Sequence, residues 1–266
     1  MQDLETKRPV VVAHRGGGGV RPENTRAAFD HAIGLGCEFL ELDVNATRDG
    51  VPVCIHDPTV DRVTDGSGAV SVFTAAEITE LDAGYGFTDD GVSFPFRGQG
   101  IRIPTLQEVF ERYPRARMSI DIKGTSAALI RAVSDLVHEH GREERTTVGS
   151  FSCRTTRIYR RQSPSTLATA CPAEVRRMLV TAALRVTGAA PRRPDYLMVP
   201  EYSGRVRVVT PGFLAAAARR GMQVFVWTVN DEETALRLAE AGVDGVITDV
   251  PGRIAAALGE GGPRAG

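Results

Sequence analysis

The sequence predicts an α/β fold, a TIM (β/α)8 barrel with a small insertion after the second strand. Three observations carry this. Short β-branched runs alternate with helical patterns almost from end to end, and polar residues gather where the strand-like runs stop. No glycine-rich dinucleotide turn with an acidic partner supports an open doubly wound sheet. A chain of 266 residues, 42% hydrophobic and 24% charged, also suits one barrel of roughly 250 residues.

The first strand is Pro9–Ala13, apolar throughout as a strand buried on both faces should be. A helix over Asn24–Leu35 follows, opened by an Asn or Thr cap and closed by Gly36. Glu38–Val44 is the second strand, and Pro52–Ile55 a short extended run beyond the Arg48-Asp49-Gly50 turn. Residues 57–103 break the rhythm with Gly, Asp, Ser and Thr and hold one short helix at Thr74–Leu81; they form the insertion. Thereafter helices at Thr105–Tyr113, Ala127–His140, Cys153–Arg161, Ala173–Val186, Pro211–Arg220, Asp231–Ala239 and Gly252–Leu258 alternate with strands. Those strands are Met118–Ile122, Thr146–Gly149, Thr166–Ala170, Tyr196–Val199, Gln223–Trp227 and Gly245–Ile247. One barrel domain thus spans residues 9–258, and the tail over 259–266 is expected to be mobile.

A net charge of −1 argues against a broad attraction to nucleic acid or an anionic membrane, though clustered cations are invisible in a sum. No apolar run reaches the roughly 18 residues of a membrane span, and the apolar stretch Met178–Ala190 is broken by Arg185. The opening MQDLETKRPV has no signal-peptide core, so the expectation is a cytoplasmic protein. Cys37, Cys54, Cys153 and Cys171 form no CxxC pair and are expected to be buried free thiols. Nothing in the sequence sets the oligomeric state.

Barrel sites form at the C-terminal ends of strands. There the sequence places His14-Arg15, Glu41-Leu42-Asp43, His56-Asp57, Asp121-Ile122-Lys123, Ser150, Trp227-Thr228 and Thr248-Asp249. Strand alternation points Glu41 and Asp43 the same way, and likewise Asp121 and Lys123. Carboxylates aimed into one space repel unless a cation lies between them. Glu41, Asp43 and Asp121 therefore make a site for Ca²⁺ or Mg²⁺, the alternative being an ion-pair network with Arg15 and Lys123. His14 and His56 suit an acid and a base on opposite sides of a phosphorus centre. Arg15, before the run Gly16–Gly19, suits a phosphate fork. Lys123 is one of only two lysines, with Lys7, among 32 basic residues, which points to an anion-facing point charge. Glu23 either belongs to the first helix's cap or orients His14 and Arg15; Trp227 either walls the pocket against the alcohol or packs in the core. His31, His138 and His140 fall on helices and read as surface or packing residues.

The stretch from Ala13 to Gly68 resembles the glycerophosphodiester phosphodiesterase family through His14-Arg15-Gly16, Pro22-Glu23-Asn24-Thr25, Glu41-Leu42-Asp43, the Asp49-Gly50 turn and His56-Asp57. Ile120-Asp121-Ile122-Lys123, Val226-Trp227-Thr228-Val229-Asn230 and Gly245-Val246-Ile247-Thr248-Asp249 extend the likeness. The resemblance implies a TIM barrel that uses a divalent metal to hydrolyse glycerophosphodiesters to sn-glycerol 3-phosphate and an alcohol. It implies His14 and His56 as the acid–base pair, Arg15 and Lys123 on the phosphate, and Glu41, Asp43 and Asp121 as metal ligands, with the 57–103 insertion capping the mouth. The family often has Glu where this chain has Asp121, and Cys171–Tyr202 matches only loosely. Two alternatives stand beside this reading. One is a phospholipase D-like lyase releasing a cyclic phosphate from lysophospholipids, its apolar surface supplied by Phe73, Tyr85, Phe87, Phe94 and Phe96. The other is a barrel that binds a phosphate ligand without catalysis.

Overall fold

The computed structural model describes residues 8–183 and 194–259. Its elements run β1 (Val10–Ala13), α1 (Arg26–Gly34), β2 (Phe39–Ala46), β3 (Pro52–Cys54), α2 (Ala75–Ile78), α3 (Leu106–Arg112), β4 (Arg117–Ile122) and α4 (Ala127–Glu139). They continue β5 (Thr146–Gly149), α5 (Cys153–Gln162), β6 (Leu167–Ala168), α6 (Pro172–Ala183), β7 (Tyr196–Pro200), β8 (Tyr202–Ser203) and β9 (Val206–Arg207). Last come α7 (Pro211–Ala218), β10 (Gln223–Trp227), α8 (Glu232–Ala241), β11 (Gly245–Thr248) and α9 (Pro251–Ala257).

Eight strands run parallel in the order β6-β5-β4-β2-β1-β11-β10-β7. The ends of that row meet through a parallel bridge between Thr169 and Tyr196, with the Ala170 amide donating to the Tyr196 carbonyl at 2.8 Å. The sheet is therefore a barrel, with helices between successive strands, as the alternating pattern predicts. β3 is an extra strand, antiparallel to β2 across the Asp49-Gly50 turn. The β8–β9 hairpin was not foreseen, being only two residues per strand. Hydroxyl or carboxylate side chains open most helices: Thr25, Thr105, Ser126, Ser152, Thr210 and Asp231 each accept an amide hydrogen bond from the first turn.

Alternation along the strands sorts the core into two layers and positions the site. Val11, Ala13, Leu40, Leu42 and Val44 pack outward against the helices. Val12, Phe39, Tyr196, Phe225 and Ile247 face the barrel axis and fill its lower half. There Phe225 meets Phe39 edge-on at 5.8 Å and stacks on Tyr196 at 5.3 Å. Continuing the inward parity upward gives His14, Glu41, Asp43, Asp121 and Asp249. The axis thus changes from an aromatic plug to a polar upper layer. Residues of the insertion build a separate small core around Val60, Val70, Ile78, Ala83 and Ile103.

The cysteines correct one expectation. Cys153 at the start of α5 and Cys171 before α6 form a disulfide, while Cys37 and Cys54 stay buried thiols. The two sulfurs are 18 residues apart in no recognised motif, and only the packing of neighbouring βα loops brings them together. No helix among the described residues is long and apolar enough to cross a membrane. The opening seven residues, the tail beyond Gly259, and the parts of the predicted Ala173–Val186 helix and Met178–Ala190 stretch beyond Ala183 lie outside the described residues.

Candidate active site

The upper layer lines a cavity of about 450 Å³ at the C-terminal ends of the strands. Its walls include His14, Arg15, Glu41, Asp43, His56, Asp121, Lys123 and Trp227. Of the nine residues given a catalytic, phosphate-binding, pocket-wall or metal-holding role from the sequence, only Glu23 stands back from the cavity surface.

His14 and Arg15 leave β1 in a tight turn in which Arg15 takes a left-handed φ of 53°. That turn aims the Arg15 amide at Glu41 Oε2, 3.0 Å away. Strain of this kind at a non-glycine residue is characteristic of sites whose surroundings fix the backbone. Gly16 must follow, because its φ is 81° and a Cβ there would come within 2.8 Å of Phe29 and Ala28 side chains. The Pro22–Thr25 segment also divides its work. Asn24 clasps Asp43, donating to Oδ2 at 3.0 Å and accepting from the Asp43 amide at 3.1 Å. Thr25 caps α1, and Glu23 binds two guanidiniums, Arg15 at 3.0 Å and Arg62 at 2.7 and 2.8 Å.

Both imidazoles are held in the same manner. His14 Nδ1 lies 2.6 Å from Asp249 Oδ1, and His56 Nδ1 lies 2.6 Å from Asp57 Oδ1. Ionised partners make Nδ1 the donor in each pair and leave Nε2 for chemistry. Asp57 is kept ionised, at about 2, first by the hydrogen bond from Arg62 and also by His56. Burial pushes Asp249 up, but its bonds from His14 and Asn230 bring its pKa below the ordinary carboxylate value. Burial also works against charge on His14; Glu41 and Asp249 outweigh it, so the ring's pKa is raised.

Charge is distributed unevenly over the carboxylates. Register places Asp43 beside Asp121 on neighbouring strands. Lys123 Nζ bridges them, 2.9 Å from Asp43 and 2.6 Å from Asp121. Arg15 Nε stands 3.2 Å from Asp43 Oδ2 without hydrogen-bond geometry, an ion pair only. Burial pushes Asp43 up, but Lys123, Arg15 and Asn24 bring it below its usual range. Asp121 is raised, by burial and by Asp43, despite Lys123. Glu41 has the least compensation: the Arg15 amide touches it and His14 Nε2 is 3.9 Å off, and burial beside Asp43 lifts its pKa to about 7. Among the described residues no group of three or more His, Cys, Asp or Glu side chains lies close enough to hold an ion as placed. The ion-pair network weighed from the sequence is what occupies the carboxylates here. An undercompensated set of hard oxygen donors in one cavity still has the chemistry that suits a divalent cation.

Trp227 walls the cavity and meets Phe151 edge-on at 5.9 Å. With Val175, Leu179, Met198 and Val208 these rings make one side of the cavity apolar. The insertion aromatics expected to supply an apolar mouth pack elsewhere: Phe87 against Phe96, Tyr85 and Phe94 against Arg97, Phe73 on the insertion's own core. None of residues 57–103 lines the cavity; Asp57 and Arg62 reach the site from behind His56. His31, His138 and His140 line no part of it. From the sequence Asn24 was only a candidate cap of the first helix, and Asp57, Arg62, Asn230 and Asp249 carried no predicted role. Asp57 and Asp249 follow strand ends and were visible as polar positions; nothing local marks Arg62.

The profile of the glycerophosphoryl diester phosphodiesterase family matches residues 14–253. The chain is 35% identical to a glycerophosphodiester phosphodiesterase of Caldanaerobacter subterraneus, over 92% of this chain and 95% of that one. It is 30% identical to human lysophospholipase D, over 91% of this chain and 84% of the relative. Among solved structures, a glycerophosphoryl diester phosphodiesterase domain from Mycobacterium tuberculosis superposes with a TM-score of 0.84 at 25% identity, covering 95% of this chain and 99% of that one. An Oleispira antarctica phosphodiesterase in complex with its product sn-glycerol-3-phosphate gives 0.75 at 26% identity, covering 95% and 97%.

Proposed function

The chain belongs to the glycerophosphoryl diester phosphodiesterase family, and from that premise we propose that it cleaves glycerophosphodiesters to sn-glycerol 3-phosphate and an alcohol, using His14 and His56 as acid and base and a Ca²⁺ or Mg²⁺ ion held by Glu41, Asp43 and Asp121. Membership makes it a phosphodiesterase and sets aside the reading of a binding barrel without catalysis. The product bound to the Oleispira relative supports sn-glycerol 3-phosphate as the phosphate-bearing product.

One observation carries the reading: two imidazoles in one cavity, each with Nδ1 fixed by a carboxylate at 2.6 Å, beside Arg15 and Lys123. A neutral imidazole with Nδ1–H accepts a proton at Nε2 from the attacking water as the water oxygen bonds to phosphorus. A protonated one donates from Nε2 to the departing alkoxide as its P–O bond breaks. The proton taken up on one side is matched by the proton released on the other. Arg15 and Lys123 offset the phosphate's negative charge and hold it between the two rings. Glu23 orients Arg15, and Asn24 orients Asp43. When bound, the divalent ion supplies positive charge for the phosphoryl oxygens and for the crowded carboxylates. The elevated pKa of Glu41 supports a need for such charge.

A second reading is favoured by the apolar wall of Trp227, Phe151, Val175, Leu179 and Met198 and by the human lysophospholipase D relative. In it the released or retained alcohol carries an acyl chain and a cyclic phosphate is the product. Phosphorus NMR on glycerophosphocholine and on a lysophospholipid, with chelator and then with Ca²⁺ or Mg²⁺, separates the two. Glycerol 3-phosphate appearing only with metal supports hydrolysis. A persistent cyclic product supports the second reading, and turnover indifferent to a strong chelator removes the metal from both.

A further inference from the structure

The mouth of the cavity is lopsided. Over the sector from β5 to β7 it is bordered by Phe151, α6 and the β8–β9 hairpin, since Phe151, Arg176, Leu179, Ser203 and Val208 all line the same opening. Outside that lining the same elements expose Val180, Tyr202 and Val206, at 57%, 53% and 57%, and Phe151 itself is 65% exposed. These are four of the ten large hydrophobic side chains exposed among the described residues, and no other cluster sits at the opening. Large apolar side chains grouped at the rim of a cavity mark an interaction surface.

Cations accompany them. Arg176 and Arg177 on α6 and Arg205 at the hairpin tip make no ion pair or side-chain hydrogen bond with a described residue. The carboxylates nearby are already engaged, Glu174 with Arg160 and Glu201 with Arg237 and Arg207. The sector thus presents apolar side chains beside free guanidiniums, while the whole chain carries a net charge of −1.

We propose that this sector is a docking surface for an anionic lipid bilayer. Tyr202, Val206 and Phe151 enter the boundary between head groups and acyl chains, and Arg176, Arg177 and Arg205 face lipid phosphates. An amphipathic ring such as that of Tyr202 suits this boundary, and a guanidinium suits the phosphate. Docked this way, the cavity opens onto the membrane face. The inference does not depend on which alcohol the enzyme releases, because binding is read without turnover.

The test is co-sedimentation of the full chain with vesicles of phosphatidylcholine alone and of phosphatidylcholine with phosphatidylglycerol, at low and high salt. Binding should require phosphatidylglycerol and weaken with salt. The Tyr202→Ser, Val206→Ser, Arg205→Ser variant should lose affinity by on the order of ten-fold or more while cleaving soluble glycerophosphocholine at the parent rate. Arg205→Glu alone, which leaves the apolar contacts intact, should weaken binding in the same direction. Absence of binding to phosphatidylglycerol vesicles, or equal binding by these variants, overturns the proposal. So does a salt-insensitive dimer that the triple variant dissociates, which would make the sector a contact between copies of the chain.

Discussion

Replacing Asp249 by Asn keeps the shape of the side chain and removes its charge. In the native site one oxygen accepts from His14 Nδ1 at 2.6 Å and the other from Asn230 Nδ2 at 2.7 Å. An amide cannot accept at both ends. If its oxygen faces His14, its NH₂ meets the NH₂ of Asn230. Asn230 cannot turn round freely, because its own oxygen accepts from the Asp249 amide at 2.8 Å and the Thr248 hydroxyl at 3.1 Å. If the oxygen faces Asn230 instead, the NH₂ forces His14 into the tautomer with its proton on Nε2. Either outcome loses a charge-assisted bond of roughly 1.5–3 kcal/mol, which is about ten- to a hundred-fold in kcat. The His14 pKa should fall as well, since Asp249 helps to raise it against burial. The limb of the pH–rate profile governed by His14 then moves to lower pH. Initial rates of glycerol 3-phosphate release across pH, with thermal unfolding as a control, measure both effects. A variant that keeps more than half the native kcat with an unmoved pH profile would refute an orienting role for Asp249.

Lys123→Met leaves Asp43 and Asp121 facing each other without their bridge. The site is not fully sealed, so the cost should be about 2 kcal/mol rather than the ~3–5 of a fully buried broken pair, read as a lower urea midpoint that Ca²⁺ or Mg²⁺ partly restores. Arg62→Ala frees Asp57 and Glu23 and should lower kcat through His56. Because Asp57 is depressed to about 2 when folded, its stabilisation is present above about pH 4 and fades as pH falls toward 2. Native and variant stabilities should therefore differ most at neutral pH and converge in acid, a trend that acid titration followed by circular dichroism checks. Serine at both Cys153 and Cys171 opens a loop of 18 residues, and urea unfolding should show a loss of up to about 3 kcal/mol.

The barrel was legible because its strands are buried on both faces and its helices on one, so two periodicities alternate along the chain. Strand parity likewise put Glu41 with Asp43, and Asp121 with Lys123, before any coordinates. What parity cannot give is which strand stands beside which. Asp249 belongs to His14 because β1 and β11 pair, Ala13 against Thr248, across 235 residues. Arg62 belongs to Glu23 because a loop from the insertion folds back behind His56. The disulfide was missed for the same reason, and the insertion aromatics were misplaced because composition does not say whether a ring faces a cavity or its own small core.

The pairing of the first strand with the last also orders events during synthesis. His14 emerges from the ribosome early, whereas Asp249 follows only when β11 has been made and the seam between first and last strands has closed. Until then the imidazole has no carboxylate to fix its tautomer. A nascent or prematurely terminated chain ending before β11 consequently carries Glu41, Asp43, Asp121 and both histidines, yet not the Asp249 carboxylate that holds His14. The fixed orientation of His14 is therefore a property of the closed barrel, and no shorter piece of the chain can have it.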